Sequence, residues 1–129
     1  MTAFSNQSRQ VHTLPGLTHR TLAGRGDGLF ELEVWEQTLE PDAASPVHYH
    51  TCEEVVVILS GTGRLLIDRN EQAVEPGTTL VVPAGVVHQL KSDGPTPMHL
   101  IAALSETPGN VYSPDGTLIP VPWLTDENE

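Results

Sequence analysis

The segment Pro46-Val47-His48-Tyr49-His50-Thr51-Cys52-Glu53-Glu54 places two histidines two positions apart and follows them with a pair of glutamates. Successive side chains of a β-strand point to opposite faces, so two imidazoles at this spacing project from the same face. Neutral imidazole and carboxylate groups are both good ligands for first-row divalent metals. The segment therefore predicts a metal site, although composition alone does not decide between the two glutamates.

The chain downstream of this segment alternates short apolar stretches with turn-forming residues. The predicted strands are 54–60, 63–68, 78–82, 87–91 and 98–104. Ser60-Gly61-Thr62-Gly63 carries the signal of a tight hairpin between the first two. Turns about every 8–12 residues, with no helical period between them, predict an all-β sandwich or barrel.

The chain upstream contains one further predicted strand, Leu29–Glu40. In it the apolar residues Phe30, Leu32 and Val34 alternate with glutamates, which is typical of a half-buried strand. Trp35 then falls on the opposite face from Leu32 and Val34, where an oligomer interface could use it. We expect one domain, with residues 1–28 as an N-terminal extension, 29–104 as the β-barrel core and 105–129 as a tail that packs on the barrel.

Charge and composition exclude several classes of partner. The 129 residues include 6 basic and 17 acidic side chains, a net charge of −11 at pH 7, so nucleic acid is excluded as a partner. No apolar run approaches the roughly 18 residues that span a bilayer, so we expect no membrane association. The first ten residues lack the apolar core of a signal peptide, and Cys52 is the one cysteine, which together predict a cytoplasmic location.

The spacing around the two histidines resembles the first motif of the cupin superfamily, here a single-domain cupin of the RmlC-like type. That motif is Gly, five residues, His-x-His, three or four residues, Glu, six residues, Gly. This chain has Asp42, five residues, His48 and His50, three residues, Glu54, six residues and Gly61. Asp42 is the one departure, since it stands where the motif begins with glycine.

The second cupin motif has a counterpart about 35 residues later. Its pattern is Gly, five residues, Pro-x-Gly, two residues, His, three residues, Asn, matched here by Gly77, Pro83, Gly85 and His88, with Ser92 in place of asparagine. The resemblance implies a double-stranded β-helix, or jelly-roll barrel. It also implies one divalent metal ion held by His48, His50, Glu54 and His88, and so favours Glu54 over Glu53.

Residues 46–55, 61–66, 82–89 and 119–127 are similar to the plant auxin-binding proteins within that superfamily. This resemblance implies zinc as the metal, with manganese, iron or nickel as alternatives, and a small carboxylate as the ligand. It also implies that Trp123 lies over the ring of the ligand as a lid; the other interpretation is a plug that pins the tail. Small cupins commonly dimerise through their outer strands, so a homodimer is expected.

The motifs leave two functions open. One is a binding protein whose metal captures a small carboxylate. The other is a metal-dependent enzyme of the dioxygenase, isomerase or lyase type, acting on a small carboxylate or carbonyl compound. Of the remaining candidates, Cys52 is predicted to be a buried hydrophobe rather than a thiol beside the metal. His12, His19 and His99 are predicted to be structural or solvated.

Overall fold

The protein is described by a computed structural model that covers residues 3–127, with side chains described through residue 124. The ends of the predicted extension and tail, residues 1–2 and 128–129, lie outside the described residues. The strands are β1 (His12–Leu14), β2 (Leu17–Ala23), β3 (Glu33–Leu39), β4 (Glu54–Ser60), β5 (Gly63–Ile67), β6 (Asn70–Val74), β7 (Thr79–Val82), β8 (His88–Ser92) and β9 (Met98–Leu104). Short 3-10 helices form at Asn6–Ser8 and Arg25–Asp27, and one α-helix, α1, spans Pro122–Glu127.

The strands form two antiparallel sheets in the described part of the chain. The larger sheet has the order β1-β2-β3-β9-β4-β7, and the smaller has the order β6-β5-β8. Residues 44–48 run beside β8 and add backbone bridges to the smaller sheet. The inward faces of the two sheets enclose the apolar core, which confirms the predicted all-β jelly-roll architecture.

The segment expected to be an extension contributes β1 and β2 to the larger sheet. Residues 17–23 of β2 pair with residues 34–39 of β3 along most of their length. No helix among residues 3–127 is long and apolar enough to cross a membrane.

The structure overturns the predicted orientation of the strand at 29–40. Regular pairing begins at Glu33, and the buried face of β3 carries Glu33, Trp35 and Leu39, whereas Phe30 and Leu32 are 90% and 55% exposed. The alternation of apolar residues therefore marked the outward face. Trp35 is 3% exposed and lies in the core, so its predicted use as an oligomer interface is wrong.

The predicted hairpin at Ser60–Gly63 is also wrong, because β4 and β5 belong to different sheets. Gly61 adopts a φ of 81°, and a Cβ atom there would lie 2.4 Å from the carbonyl oxygen of Pro97. The turn therefore needs glycine both for its left-handed backbone and for a close approach to a neighbouring loop. Asp42, which stands at the opening glycine position of the first motif, has a φ of 66°, a conformation that aspartate tolerates better than most residues.

Candidate metal centre

The fold brings the four predicted ligand residues together at one end of the barrel. His48 and His88 are bridged by two backbone hydrogen bonds, of 3.0 and 2.8 Å, between residues 44–48 and β8. His50 lies two residues after His48, and Glu54 is the first residue of β4. All four residues are buried, and the candidate ligand nitrogens of the three histidines lie within 4.8 Å of one another.

Backbone carbonyl groups fix the tautomer of all three imidazoles. The Nδ1 atoms of His48, His50 and His88 lie 2.7, 2.7 and 2.9 Å from the carbonyl oxygens of Pro46, Asn110 and Val86, respectively. A carbonyl oxygen only accepts hydrogen bonds, so each Nδ1 carries the proton and each Nε2 keeps its lone pair. This is the arrangement that metal-ligating histidines adopt.

The Glu54 carboxylate completes the cluster. Its Oε1 atom lies 3.2 Å from Nε2 of His88 and 3.6 Å from Nε2 of His50. Glu54 Oε1 and His50 Nε2 are both buried without a hydrogen-bond partner. Buried polar atoms are rarely left unpaired, so these two atoms fit a bound cation, as does the donor set of three imidazoles and one carboxylate.

Burial and neighbouring groups shift the pKa values of two members of the cluster, His48 and Glu54. Burial, reinforced by the neighbouring His88 and His50, lowers the pKa of His48 to about 3, so this imidazole is neutral at pH 7. Burial alone would raise the pKa of Glu54, but the three histidines around its carboxylate, His88 above all, hold this pKa below its ordinary value. A metal ion requires neutral imidazoles and an ionised carboxylate.

An apolar cavity extends from the cluster into the barrel. Its volume, measured as the space open to the centre of a water molecule, is about 50 Å³. Its walls are mostly core side chains such as Leu65, Val82 and Leu100. The ionisable residues among the described side chains that line it are His48, Glu54 and His88, all from the cluster. The cavity is thus charged only at the cluster, and the rest of its wall is mostly apolar, with Gln37 and Ser45 as the other polar side chains.

Trp123 forms part of the cavity wall and is 3% exposed. Its indole ring stacks on the imidazole of His19, with centroids 3.7 Å apart and planes 8° from parallel, and meets Trp35 edge to face at 5.8 Å. In this structure Trp123 therefore packs as a plug that attaches α1 to β2 and β3. Its contact with a ligand stays a prediction.

Cys52 is buried within the hydrophobic core, as predicted. Burial is the main cause that raises the pKa of its thiol to about 11, so it is protonated at pH 7.

The sequence interpretation missed the burial of Glu33 and Trp35, whereas His19, predicted to be structural or solvated, is structural. Trp35, Gln37 and Leu39 alternate along β3 on the same face as Glu33, and Trp35 and Leu39 indicate that this face points inward. The charge of Glu33 argued for the opposite orientation. His19 is completely buried, which its position in a polar segment did not suggest.

Comparison with known proteins places these features in a family. The family model described as "Cupin domain" matches residues 35–104. The chain is 32% identical to auxin-binding protein 1 of Arabidopsis thaliana over 76% of this chain and 54% of that protein. It is 31% identical to auxin-binding protein 4 of Zea mays over 97% of this chain and 70% of that protein. The chain thus spans about half of the Arabidopsis protein.

The solved structure of the polyketide cyclase RemF from Streptomyces resistomycificus superposes on this chain with a TM-score of 0.73. The superposition covers 86% of this chain and 83% of the cyclase, at 21% sequence identity. At that identity the likeness establishes the jelly-roll fold and does not extend to the reaction.

Proposed function

Because the chain belongs to the cupin family and is similar to plant auxin-binding proteins, we propose that it binds a divalent metal ion and captures a small carboxylate ligand. His48, His50, Glu54 and His88 would hold the ion, with zinc as the favoured metal. The observation that carries this proposal is the pair of unpartnered buried atoms, His50 Nε2 and Glu54 Oε1, within a cluster of three imidazoles of fixed tautomer. When bound, the ion supplies the positive centre that an anionic ligand needs in a protein of net charge −11.

The residues around the cluster favour binding over turnover. Apart from Gln37 and Ser45, the rest of the cavity wall contributes mostly apolar surface, which suits the hydrophobic part of a carboxylate. No described residue of the wall outside the cluster is ionisable, so the wall offers no separate general acid or base. The cavity has room for a few water molecules, so a ring-sized ligand requires part of its wall to move.

A matched pair of probes tests the proposal: phenylacetate and its neutral analogue phenylacetamide, added to zinc-loaded and to metal-free protein. Tryptophan fluorescence reports binding, since Trp35 and Trp123 both line the cavity. We expect the acid to bind the zinc-loaded protein at least about tenfold more tightly than the amide, a difference of about 1.4 kcal/mol. Equal binding of the acid with and without zinc would refute metal-directed capture.

Mass spectrometry of the same samples decides between binding and catalysis. We expect the acid to be recovered unchanged. Its consumption by metal-loaded protein would assign a metal-dependent enzyme instead. The homodimer and the cytoplasmic location belong to the same proposal, and light scattering on the purified protein tests the first of them.

A further inference from the structure

Glu33 is a buried carboxylate that lies outside the metal cluster. It is the first residue of β3, has no exposed surface and does not line the cavity. Among the ion pairs of the described residues, none involves Glu33. A buried carboxylate is costly unless hydrogen bonds replace its hydration. The groups that supply those bonds therefore indicate what Glu33 does.

Three donors converge on the two oxygen atoms of Glu33. Its Oε2 accepts from the indole N–H of Trp35 at 2.5 Å and from the backbone N–H of Gly109 at 3.0 Å. Its Oε1 accepts from the hydroxyl of Thr107 at 2.7 Å, which in turn accepts the backbone N–H of Arg25 at 2.8 Å. Both oxygens act as acceptors, so the site suits a carboxylate and disfavours an amide, whose NH₂ group would face a donor.

Two of these donors, Gly109 and Trp35, are connected to His50, one of the candidate metal ligands. Gly109 immediately precedes Asn110, whose carbonyl oxygen accepts the Nδ1 proton of His50 at 2.7 Å. The Trp35 indole meets the imidazole of His50 edge to face, with ring centroids 5.6 Å apart. Glu33 thus holds both the backbone that sets the tautomer of His50 and the ring that packs against it.

Gly109 packs tightly against Trp35 and Glu33. A Cβ atom on Gly109 would lie 2.7 Å from Cζ2 of Trp35 and 2.8 Å from Oε2 of Glu33. The backbone at Gly109 is therefore seated against both side chains, and a displacement of the carboxylate moves the carbonyl group of Asn110 with it.

We propose that Glu33 is a positioning residue for His50, because it anchors Gly109–Asn110 and Trp35 so that the Nε2 atom of His50 faces the cluster. This inference rests on the proposed metal site. Partners that orient a ligating histidine typically contribute about 10–100-fold to metal affinity.

The test compares Glu33→Gln with Glu36→Gln in the full chain. Glu36 lies on the opposite face of the same strand, where it contacts Arg20 and His99 rather than the cluster. Zinc affinity is measured by competition with a chelator. We expect Glu33→Gln to weaken zinc binding by about 10–100-fold and Glu36→Gln to change it by less than about twofold.

Nitrogen-15 spectra of the imidazoles in the metal-free protein provide a second readout that general destabilisation does not produce. In Glu33→Gln the His50 resonances should lose the pure Nδ1–H tautomer, while those of His48 and His88 stay as in the wild type. An unchanged His50 signal with unchanged zinc affinity would overturn the proposal, as would an equal change at all three histidines.

If Glu33→Gln does not fold, Thr107→Val is the variant used for the same test. It removes one donor from the carboxylate and leaves Trp35 and Gly109 in place, so we expect the same selective change at His50 with smaller amplitude. If the wild type binds no divalent metal, the metal-binding proposal fails, yet the His50 spectra still decide whether Glu33 sets the tautomer.

Discussion

His19 and the histidines of the cluster occupy neighbouring parts of one barrel, and burial is the main cause that lowers the pKa of both His19 and His48 to about 3. The two environments differ in their hydrogen bonds. Both ring nitrogens of His19 are paired, Nδ1 with the amide of Gln37 at 2.9 Å and Nε2 with the hydroxyl of Thr21 at 2.8 Å. In the cluster, the protein pairs each Nδ1 and leaves the Nε2 of His50 without a partner.

The difference shows that burial alone does not identify a metal ligand. A buried imidazole that is paired at both nitrogens serves packing, whereas one that is paired at a single nitrogen keeps a lone pair for an ion. The stack of His19 on Trp123 supports the first role, since it attaches α1 to the barrel.

Replacement of both His48 and His50 by alanine should have the largest effect on metal content. We expect bound metal to fall from near-stoichiometric to background, because half of the four-residue ligand set is lost. Elemental analysis by mass spectrometry measures it, and His99→Ala, at a partly exposed histidine outside the cluster, is the control. Full occupancy in the double variant would refute the ligand assignment.

Replacement of His19 by alanine should have the opposite pattern. Loss of a buried ring stacked on Trp123 is expected to lower the free energy of unfolding by about 3 kcal/mol. Zinc content should stay near that of the wild type. Chemical denaturation and elemental analysis of the same preparation check both, and loss of metal with stability intact would place His19 in the metal site instead.

Zinc itself should stabilise the protein by mass action. At free zinc 100 times the dissociation constant, we expect the free energy of unfolding to rise by about 2.7 kcal/mol. Thermal melts with added zinc and after treatment with a chelator measure the change. The His48, His50 double variant should show no zinc-dependent rise, and a rise equal to that of the wild type would point to binding elsewhere.

The pH dependence of stability should report His19 in the metal-free protein. Its pKa is about 3 when folded and about 6.5 when unfolded, so the unfolded chain binds an extra proton between these values and stability falls as the pH drops below 6.5. The contribution approaches about 1.4 kcal/mol per pH unit. His19→Phe, which keeps a ring, should remove this part of the slope, measured from pH 6 to 5. An unchanged slope would contradict the lowered pKa.

Cys52→Ala should have the smallest effect. The buried thiol has a pKa of about 11 and lies in the apolar core, so we expect zinc affinity to change by less than about twofold. Competition with a chelator measures the affinity. A loss of about tenfold or more would show that the thiol contributes to the metal site.

The residues that the sequence made predictable are those whose spacing is local. His48, His50 and Glu54 lie within seven consecutive residues, and strand alternation places the two histidines on one face. The regular turns also predicted an all-β sandwich or barrel, and the resemblance to cupins favoured the barrel. By contrast, Glu33 is buried because Thr107 and Gly109, 74 and 76 residues away, donate to its carboxylate. Such distant partners are invisible to local periodicity, so β3 was predicted with its faces exchanged.

The hairpin at Ser60–Gly63 failed for a related reason. A short glycine-containing link between two strands is compatible with a hairpin and with a crossing between sheets, and the partners of β4, namely β7 and β9, are distant in sequence. The burial of His19 likewise depends on Trp123 at the far end of the chain. Long-range packing, rather than propensity, decided each of these positions.

The central claim is that the three imidazoles and Glu54 form a metal site, and elemental analysis tests it most directly. The protein would be purified untagged and without chelators, loaded separately with zinc, manganese, iron and nickel, and dialysed. We expect near-stoichiometric retention of a divalent metal, with zinc held most tightly. Failure of every metal to remain above background would contradict it.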